Sequence, residues 1–118
     1  MTKSTNGKHI LRFAFVAVFM WFGVTQLFNP AMFAKLIPEW VTSISGLSAE
    51  TFTKLNGAAE IVLALCLALE WQVSIVAGLL SLHLLMIVFD LGLSAVGVRD
   101  LGLAMSVLAL AFLYWDKE

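Results

Sequence analysis

Glu60 is the residue in this sequence whose charge most needs an explanation, because the nine residues that follow it are all apolar. An ionised carboxylate in apolar surroundings is costly, and an acid at such a position usually serves packing or function. An α-helix rises about 1.5 Å per residue, so Glu60 lies roughly 12 Å below the outer end of its apolar segment. The same count puts Trp21 and His83 in this layer, on two other segments.

Residues of these types can form a ligand or proton site inside a helix bundle, since an aromatic ring can pack on a ligand and an acid or an imidazole can bond or protonate it. Asn56 precedes Glu60 by four residues and shares its helix face. We expect Glu60 to point inward and to bond His83 directly, through one water, or through Asn56. The candidate ligand-binding or proton site is therefore Glu60, His83, Trp21 and Asn56.

A structural interpretation of these residues has equal weight. Asn56, Glu60 and His83 can form a satisfied hydrogen-bond network that fixes the packing of helices, and Trp21 can be a packing residue. Under both interpretations, we expect Glu60 to hold a proton if His83 is neutral.

A second polar layer lies closer to the outer ends of the segments. Acids outnumber bases in this region, which favours one proton shared among them. Asp100 has a simpler explanation as well, because an acid near a helix N-terminus is favoured by the helix dipole. The outer polar cluster consists of Gln26, Asp90, Arg99 and Asp100.

The composition indicates that the chain lies in a lipid membrane rather than in water. The chain has 118 residues, of which 61% are hydrophobic and 13% charged, and its mean hydropathy is +0.96. A soluble domain of this length is less apolar and about a quarter charged. Residues 10–28, 52–69, 73–91 and 99–115 approach the roughly 20 apolar residues that span a membrane. The sequence predicts an all-α integral membrane protein, with one domain over residues 1–118 that forms a four-helix bundle.

The linker Asn29–Ala49 is predicted to hold two short helices. Pro30 and Pro38 suit first-turn positions, and apolar residues recur after them at helical spacing. We expect both helices to lie on the membrane surface, with an apolar face toward the lipid. Gly46 should end the second, and Ser48 should cap the next long helix.

The basic residues favour one orientation. Lys3, Lys8 and Arg12 flank the first segment, so both termini of a chain with four spans are expected in the cytoplasm. Arg12 and Glu70 are expected to meet near the cytoplasmic ends of the first two spans. Aromatic residues expected at this inner interface are Trp71, Tyr114 and Trp115.

Small residues on the third segment predict a close helix–helix contact. Residues spaced by four positions with small side chains allow two helices to approach closely in a membrane. The face lies opposite His83, so the contact could be made within the bundle, with a second copy, or with another subunit. This helix-packing face is Ser74, Ala77, Gly78 and Ser81.

Several function classes are not expected. The chain has no basic block for nucleic acid, and its single cysteine, Cys66, provides neither a disulfide nor a zinc pair. No metal-ligand spacing, nucleophile–base motif or phosphate-binding glycine loop is present, so no metal is predicted. We do not expect catalysis by this chain alone.

Three segments resemble the DoxX-like family of small four-helix membrane proteins: "FMWFGVTQLFNP" (19–30), "LSAETFTKLNGAAEIVLAL" (47–65) and "VGVRDLGLAMSVLAL" (96–110). The family often has a lysine at the position of Gln26, and its absence removes a charge next to Glu60. The resemblance implies a membrane subunit of a redox or quinone-linked system in a bacterial or archaeal cell membrane, with quinone as the candidate cofactor. The alternative is a non-catalytic anchor, scaffold or assembly factor, with lipid, further copies or redox subunits as partners.

Overall fold

The computed structural model describes the backbone of residues 3–91 and 94–115 and the side chains of residues 5–86, 89 and 94–115. Within these ranges every regular element is an α-helix, which confirms the all-α prediction. The helices are α1 (Lys3–Phe28), α2 (Ala31–Ala34), α3 (Glu39–Ser45), α4 (Ala49–Ala68), α5 (Val73–Leu91) and α6 (Ala95–Leu113).

Three of the described helices are long and apolar enough to cross a membrane, and they contain the stretches Thr5–Phe28, Ala49–Ala68 and Ala95–Leu113. A fourth apolar stretch, Val73–Met86, belongs to α5. The start of α6 differs from the predicted residue 99, because the hydroxyl of Ser94 accepts a hydrogen bond from the backbone N–H of Gly97 at 3.0 Å and caps the helix.

The two short helices occur in the linker as predicted, with Pro30 and Pro38 directly before them. Gly46 ends α3 at a φ of 72°, a left-handed conformation that glycine adopts without steric cost. Ser48 Oγ accepts from the backbone N–H of Thr51 at 3.2 Å, which confirms it as the cap of α4. The position of these helices on a membrane surface stays a prediction.

The chain divides by its internal contacts into two compact units. The central unit is Ala17–Ala64, and the terminal unit combines Met1–Val16 with Leu65–Glu118. The central unit contains the C-terminal half of α1 and most of α4, while the terminal unit contains α5 and α6. The prediction of a single domain stays a prediction.

In the terminal unit α5 packs on α6 through part of the predicted small-residue face. Ala77 and Ser81 are buried, and Ser81 Oγ donates a hydrogen bond to the carbonyl oxygen of Ala104 at 2.9 Å. Gly78 is different, because a Cβ atom there would meet nothing within 4 Å. Ser74 is half-buried on the same helix.

Candidate functional site

Helices α1 and α4 cross in the central unit with their backbones almost in contact. A Cβ atom at Gly57 would lie 2.7 Å from the carbonyl oxygen of Gly23, and one at Gly23 would lie 2.8 Å from the carbonyl oxygen of Gly57. Both distances are too short for a real contact, so only glycine fits at either position. This close approach brings Gln26, one turn beyond Gly23, within reach of the polar face of α4.

Gln26, Asn56 and Glu60 form a closed triangle of hydrogen bonds, which we call the Glu60 cluster. Gln26 Nε2 donates to Glu60 Oε2 at 2.9 Å, and Asn56 Nδ2 donates to Gln26 Oε1 at 2.8 Å. Asn56 Nδ2 also lies 3.3 Å from Glu60 Oε1. Gln26 and Glu60 are buried, and Asn56 is half-buried. The predicted inward orientation of Glu60 agrees with this burial.

The directions of these hydrogen bonds follow from the carboxylate. The amide nitrogens of Gln26 and Asn56 face the two carboxyl oxygens of Glu60, which accept from them. The amide oxygen of Gln26 then points away from Glu60, and Asn56 donates to it. Two neutral amides therefore bond the same carboxyl group and are joined to each other by the third hydrogen bond.

Trp21 belongs to the central unit and His83 to the terminal unit. Trp21 is 57% exposed, and its ring meets the edge of Phe22 with centroids 5.0 Å apart. Five residues separate Trp21 from Gln26, so the two side chains leave α1 in directions about 140° apart. His83 is half-buried on α5 in the terminal unit, whereas Glu60 belongs to the central unit. Their predicted contact stays a prediction.

The predicted outer polar cluster has members in both units. Gln26 belongs to the Glu60 cluster, while Arg99 and Asp100 are in the terminal unit. Asp100 is buried, and Arg99 Nε donates to its Oδ1 at 3.4 Å from a largely exposed side chain. Asp90 is in α5, but its side chain is outside the described residues. One proton shared across this cluster stays a prediction.

A second polar site, centred on Arg12, was only partly foreseen. Arg12 Nη2 lies 3.6 Å from Glu70 Oε2, which confirms the predicted pair. Arg12 Nη1 also donates to the carbonyl oxygens of Leu67 at 2.6 Å and Ala68 at 3.0 Å. These carbonyls are in the last turn of α4, where the Leu67 oxygen also accepts from the backbone N–H of Glu70 at 3.1 Å, so the guanidinium helps to cap the C-terminus of α4.

Two further side chains complete the Arg12 site. Arg12 Nε donates to the hydroxyl of Tyr114 at 3.2 Å, and His9 Nδ1 lies 3.2 Å from Arg12 Nη2 and 3.4 Å from Tyr114 Oη. Because a guanidinium can only donate, His9 Nδ1 is the acceptor and its ring proton is on Nε2. The sequence placed Tyr114 in the aromatic belt, yet it is buried.

No group of three or more potential metal ligands occurs in the part of the chain that the structure describes. Every buried side-chain nitrogen or oxygen in that part has a hydrogen-bond partner. The two polar sites, one around a carboxylate and one around a guanidinium, thus contain no buried side-chain nitrogen or oxygen without a hydrogen bond in the described residues.

Long apolar helices that bury a few fully bonded polar side chains are typical of α-helical integral membrane proteins. The DoxX family model matches residues 7–93 of this chain. The chain belongs to the DoxX family and is an integral membrane protein. No curated protein and no solved structure is significantly similar to it.

Proposed function

We propose that this protein is a membrane subunit of a quinone-linked redox system, and that the Glu60 cluster is its ligand-binding or proton site. The observation that carries the proposal is a buried carboxylate whose two oxygens accept hydrogen bonds from the amides of Gln26 and Asn56. A carboxylate inside a membrane is costly. Because the amides of Gln26 and Asn56 can exchange hydrogen-bond partners, the Glu60 carboxylate can become available to a ligand.

The chemistry of the side chains fits a quinone. A quinone accepts hydrogen bonds at two carbonyl oxygens, and the amide nitrogens of Gln26 and Asn56 are donors of the required type. A bound quinone would supply the redox chemistry, because it takes up electrons together with protons. Glu60 would hold or release a proton beside it, and the neutral amides would orient it.

A second candidate function, an anchor or scaffold without chemistry, is favoured by the closure of the triangle. The amides of Gln26 and Asn56 already satisfy the carboxylate without a ligand. Such a network could have no role other than to hold α1 against α4. In that case the working surfaces of the protein would be its exposed helix faces, which would contact lipid, further copies or a redox enzyme.

Extraction of lipophilic ligands from the protein purified in mild detergent, followed by mass spectrometry, tests the proposal. We expect a stoichiometric quinone with the wild type and its loss with Glu60→Gln, while the thermal unfolding temperature stays nearly unchanged. Glu39→Gln is the matched control, because Glu39 is an exposed acid of the same unit. A co-purifying enzyme without any quinone would instead support the anchor.

We also propose that the protein resides in the cytoplasmic membrane of a bacterial or archaeal cell with both termini on the cytoplasmic side. The support is the charge distribution around the first span, where Lys3, Lys8 and Arg12 cluster.

A further inference from the structure

Lys8 carries a charge that no described acid balances. Its Nζ lies 4.5 Å from the centroid of the Tyr114 ring, an attractive cation–π arrangement. The nearby acid, Glu70, pairs with Arg12 instead. Lys8 makes no ion pair with any described residue, so the described side chains of the Arg12 site carry one net positive charge.

His9 adds a second donor beside Lys8. Its Nδ1 accepts from Arg12, so the neutral ring carries its proton on Nε2. In the described part of the chain nothing accepts a hydrogen bond from Nε2, and no buried side-chain nitrogen lacks a partner. The Nε2–H group must therefore be open to the surroundings of the protein.

Arg12 cannot itself serve an external ligand. Its Nε and Nη1 groups donate to Tyr114 and to two carbonyl oxygens of α4. Its Nη2 group faces His9 and Glu70. With its donors engaged, Arg12 holds the site together, and Lys8 and His9 remain available.

An apolar surface adjoins these two donors. Phe13 follows His9 by four residues and shares its helix face. Its side chain is 51% exposed, and Arg12 covers one face of its ring at 4.3 Å. A ligand held by Lys8 and His9 would therefore extend along Phe13, one turn farther into the apolar part of α1.

We propose that Lys8 and His9 bind the phosphate of an anionic phospholipid, whose acyl chains lie along Phe13. An ammonium and an imidazole N–H are suited to phosphate oxygens. Basic side chains at a membrane end attract anionic lipid headgroups. This inference is independent of the proposed function of the Glu60 cluster, because it concerns other residues in the terminal unit.

Native mass spectrometry of the full chain in detergent tests the proposal, with phosphatidylglycerol and phosphatidylcholine as probes. We expect tighter binding of phosphatidylglycerol, a loss of roughly fivefold in its affinity with Lys8→Gln, and near-complete retention with Lys8→Arg. Lys35→Gln is the matched control, because it removes one positive charge from an exposed lysine of the central unit. Its affinity for phosphatidylglycerol should equal that of the wild type.

Equal affinity for the two lipids, or an equal effect of Lys8→Gln and Lys35→Gln, would overturn the proposal. Inorganic phosphate is the third probe. If inorganic phosphate displaced phosphatidylglycerol at millimolar concentration, the site would prefer a soluble phosphate to the lipid, and the proposal of a lipid ligand would be wrong. Should Lys8→Gln fail to fold, the salt dependence of phosphatidylglycerol binding to the wild type decides, since a phosphate contact must weaken as salt rises.

Discussion

Gly23 and Gly57 meet so closely that neither residue has room for a methyl group. The Cβ of an alanine at position 57 would also lie 2.8 Å from the Cβ of Gln26. The crossing of α1 and α4 and the position of Gln26 beside Glu60 therefore depend on the same two glycines.

Gly57→Ala should destabilise the protein by about 1–3 kcal/mol, because the backbones of α1 and α4 must separate to accept the methyl group. Thermal unfolding in detergent measures this loss. Gly78→Ala is the matched control, since its Cβ would meet nothing within 4 Å. Equal unfolding temperatures for the two variants would show that the crossing at Gly57 is not tight.

Glu60→Gln and Glu60→Leu should differ in stability. Glutamine has the shape of glutamate, and with its amide oxygen at the position of Oε2 it still accepts from Gln26, so two of the three hydrogen bonds remain. We expect a loss of about 1 kcal/mol or less. Leucine leaves both amides without the carboxylate, which should cost about 1–3 kcal/mol more. Chemical unfolding in mixed micelles measures both, and a leucine variant as stable as the glutamine variant would contradict the burial of the cluster.

Arg12→Lys should be more damaging than Glu70→Gln. Lysine keeps the charge but cannot reach two carbonyl oxygens, Tyr114 and His9 together, and we expect a loss of about 2–4 kcal/mol. Glu70 is half-exposed and its Oε2 lies 3.6 Å from Arg12 Nη2, so removing its charge should lower the stability by less than about 1 kcal/mol. Thermal unfolding of both variants gives the order of their stabilities. A less stable Glu70→Gln variant would mean that the ion pair contributes more than the capping of α4.

Ser81→Ala should lower stability by about 1 kcal/mol, because the hydroxyl donates to the carbonyl of Ala104 on the neighbouring helix. Ser106→Ala is the control. Ser106 is exposed, and its hydroxyl bonds Gly102 of its own helix at 2.8 Å. Unfolding by titration with a denaturing detergent compares the two, and a similar small effect for both would remove Ser81 from the α5–α6 contact.

Single cysteines at positions 3 and 117, in a chain whose Cys66 is replaced by alanine, should react with a membrane-impermeant thiol reagent only after the cells are opened. This outcome follows from the proposed cytoplasmic position of both termini. A cysteine at exposed Ser43 in α3 is the control and should react in intact cells. Labelling of position 3 or 117 from outside would refute the orientation.

The helices and their caps could be predicted from the sequence because their signals are local. Pro30, Pro38, Gly46 and Ser48 mark helix ends through their own backbone and side-chain preferences. The apolar lengths likewise predict long helices without any knowledge of tertiary contacts. The Arg12–Glu70 pair was accessible too, because both charges lie near the same ends of two consecutive spans.

The partners of Glu60 could be predicted only in part. Asn56 shares its helix face, and the resemblance to the family already put Gln26 beside Glu60. Counting residues for depth separated Gln26 from Glu60 into two layers, because it ignores the length of both side chains. The count also contains no information on how helices rotate about their axes, and rotation carries Trp21 to an exposed face of α1.

The contacts of Arg12 with Tyr114 and with the end of α4 could not be foreseen. Nothing in a tyrosine near the end of a span distinguishes a buried hydroxyl from one in an interfacial belt. The carbonyls of Leu67 and Ala68 carry no side-chain signal at all, although a buried Arg12 at the start of an apolar segment requires some acceptor.

The Arg12 site also sets an order of events during synthesis. The ribosome makes Arg12 before its carbonyl acceptors at residues 67 and 68, and it makes Tyr114 102 residues after Arg12. At about 5–20 residues per second, the guanidinium precedes its last partner by roughly 5–20 s. Until then water or lipid phosphates at the membrane surface must solvate it. The first helix can reach its final depth and rotation only when the last helix has entered the membrane.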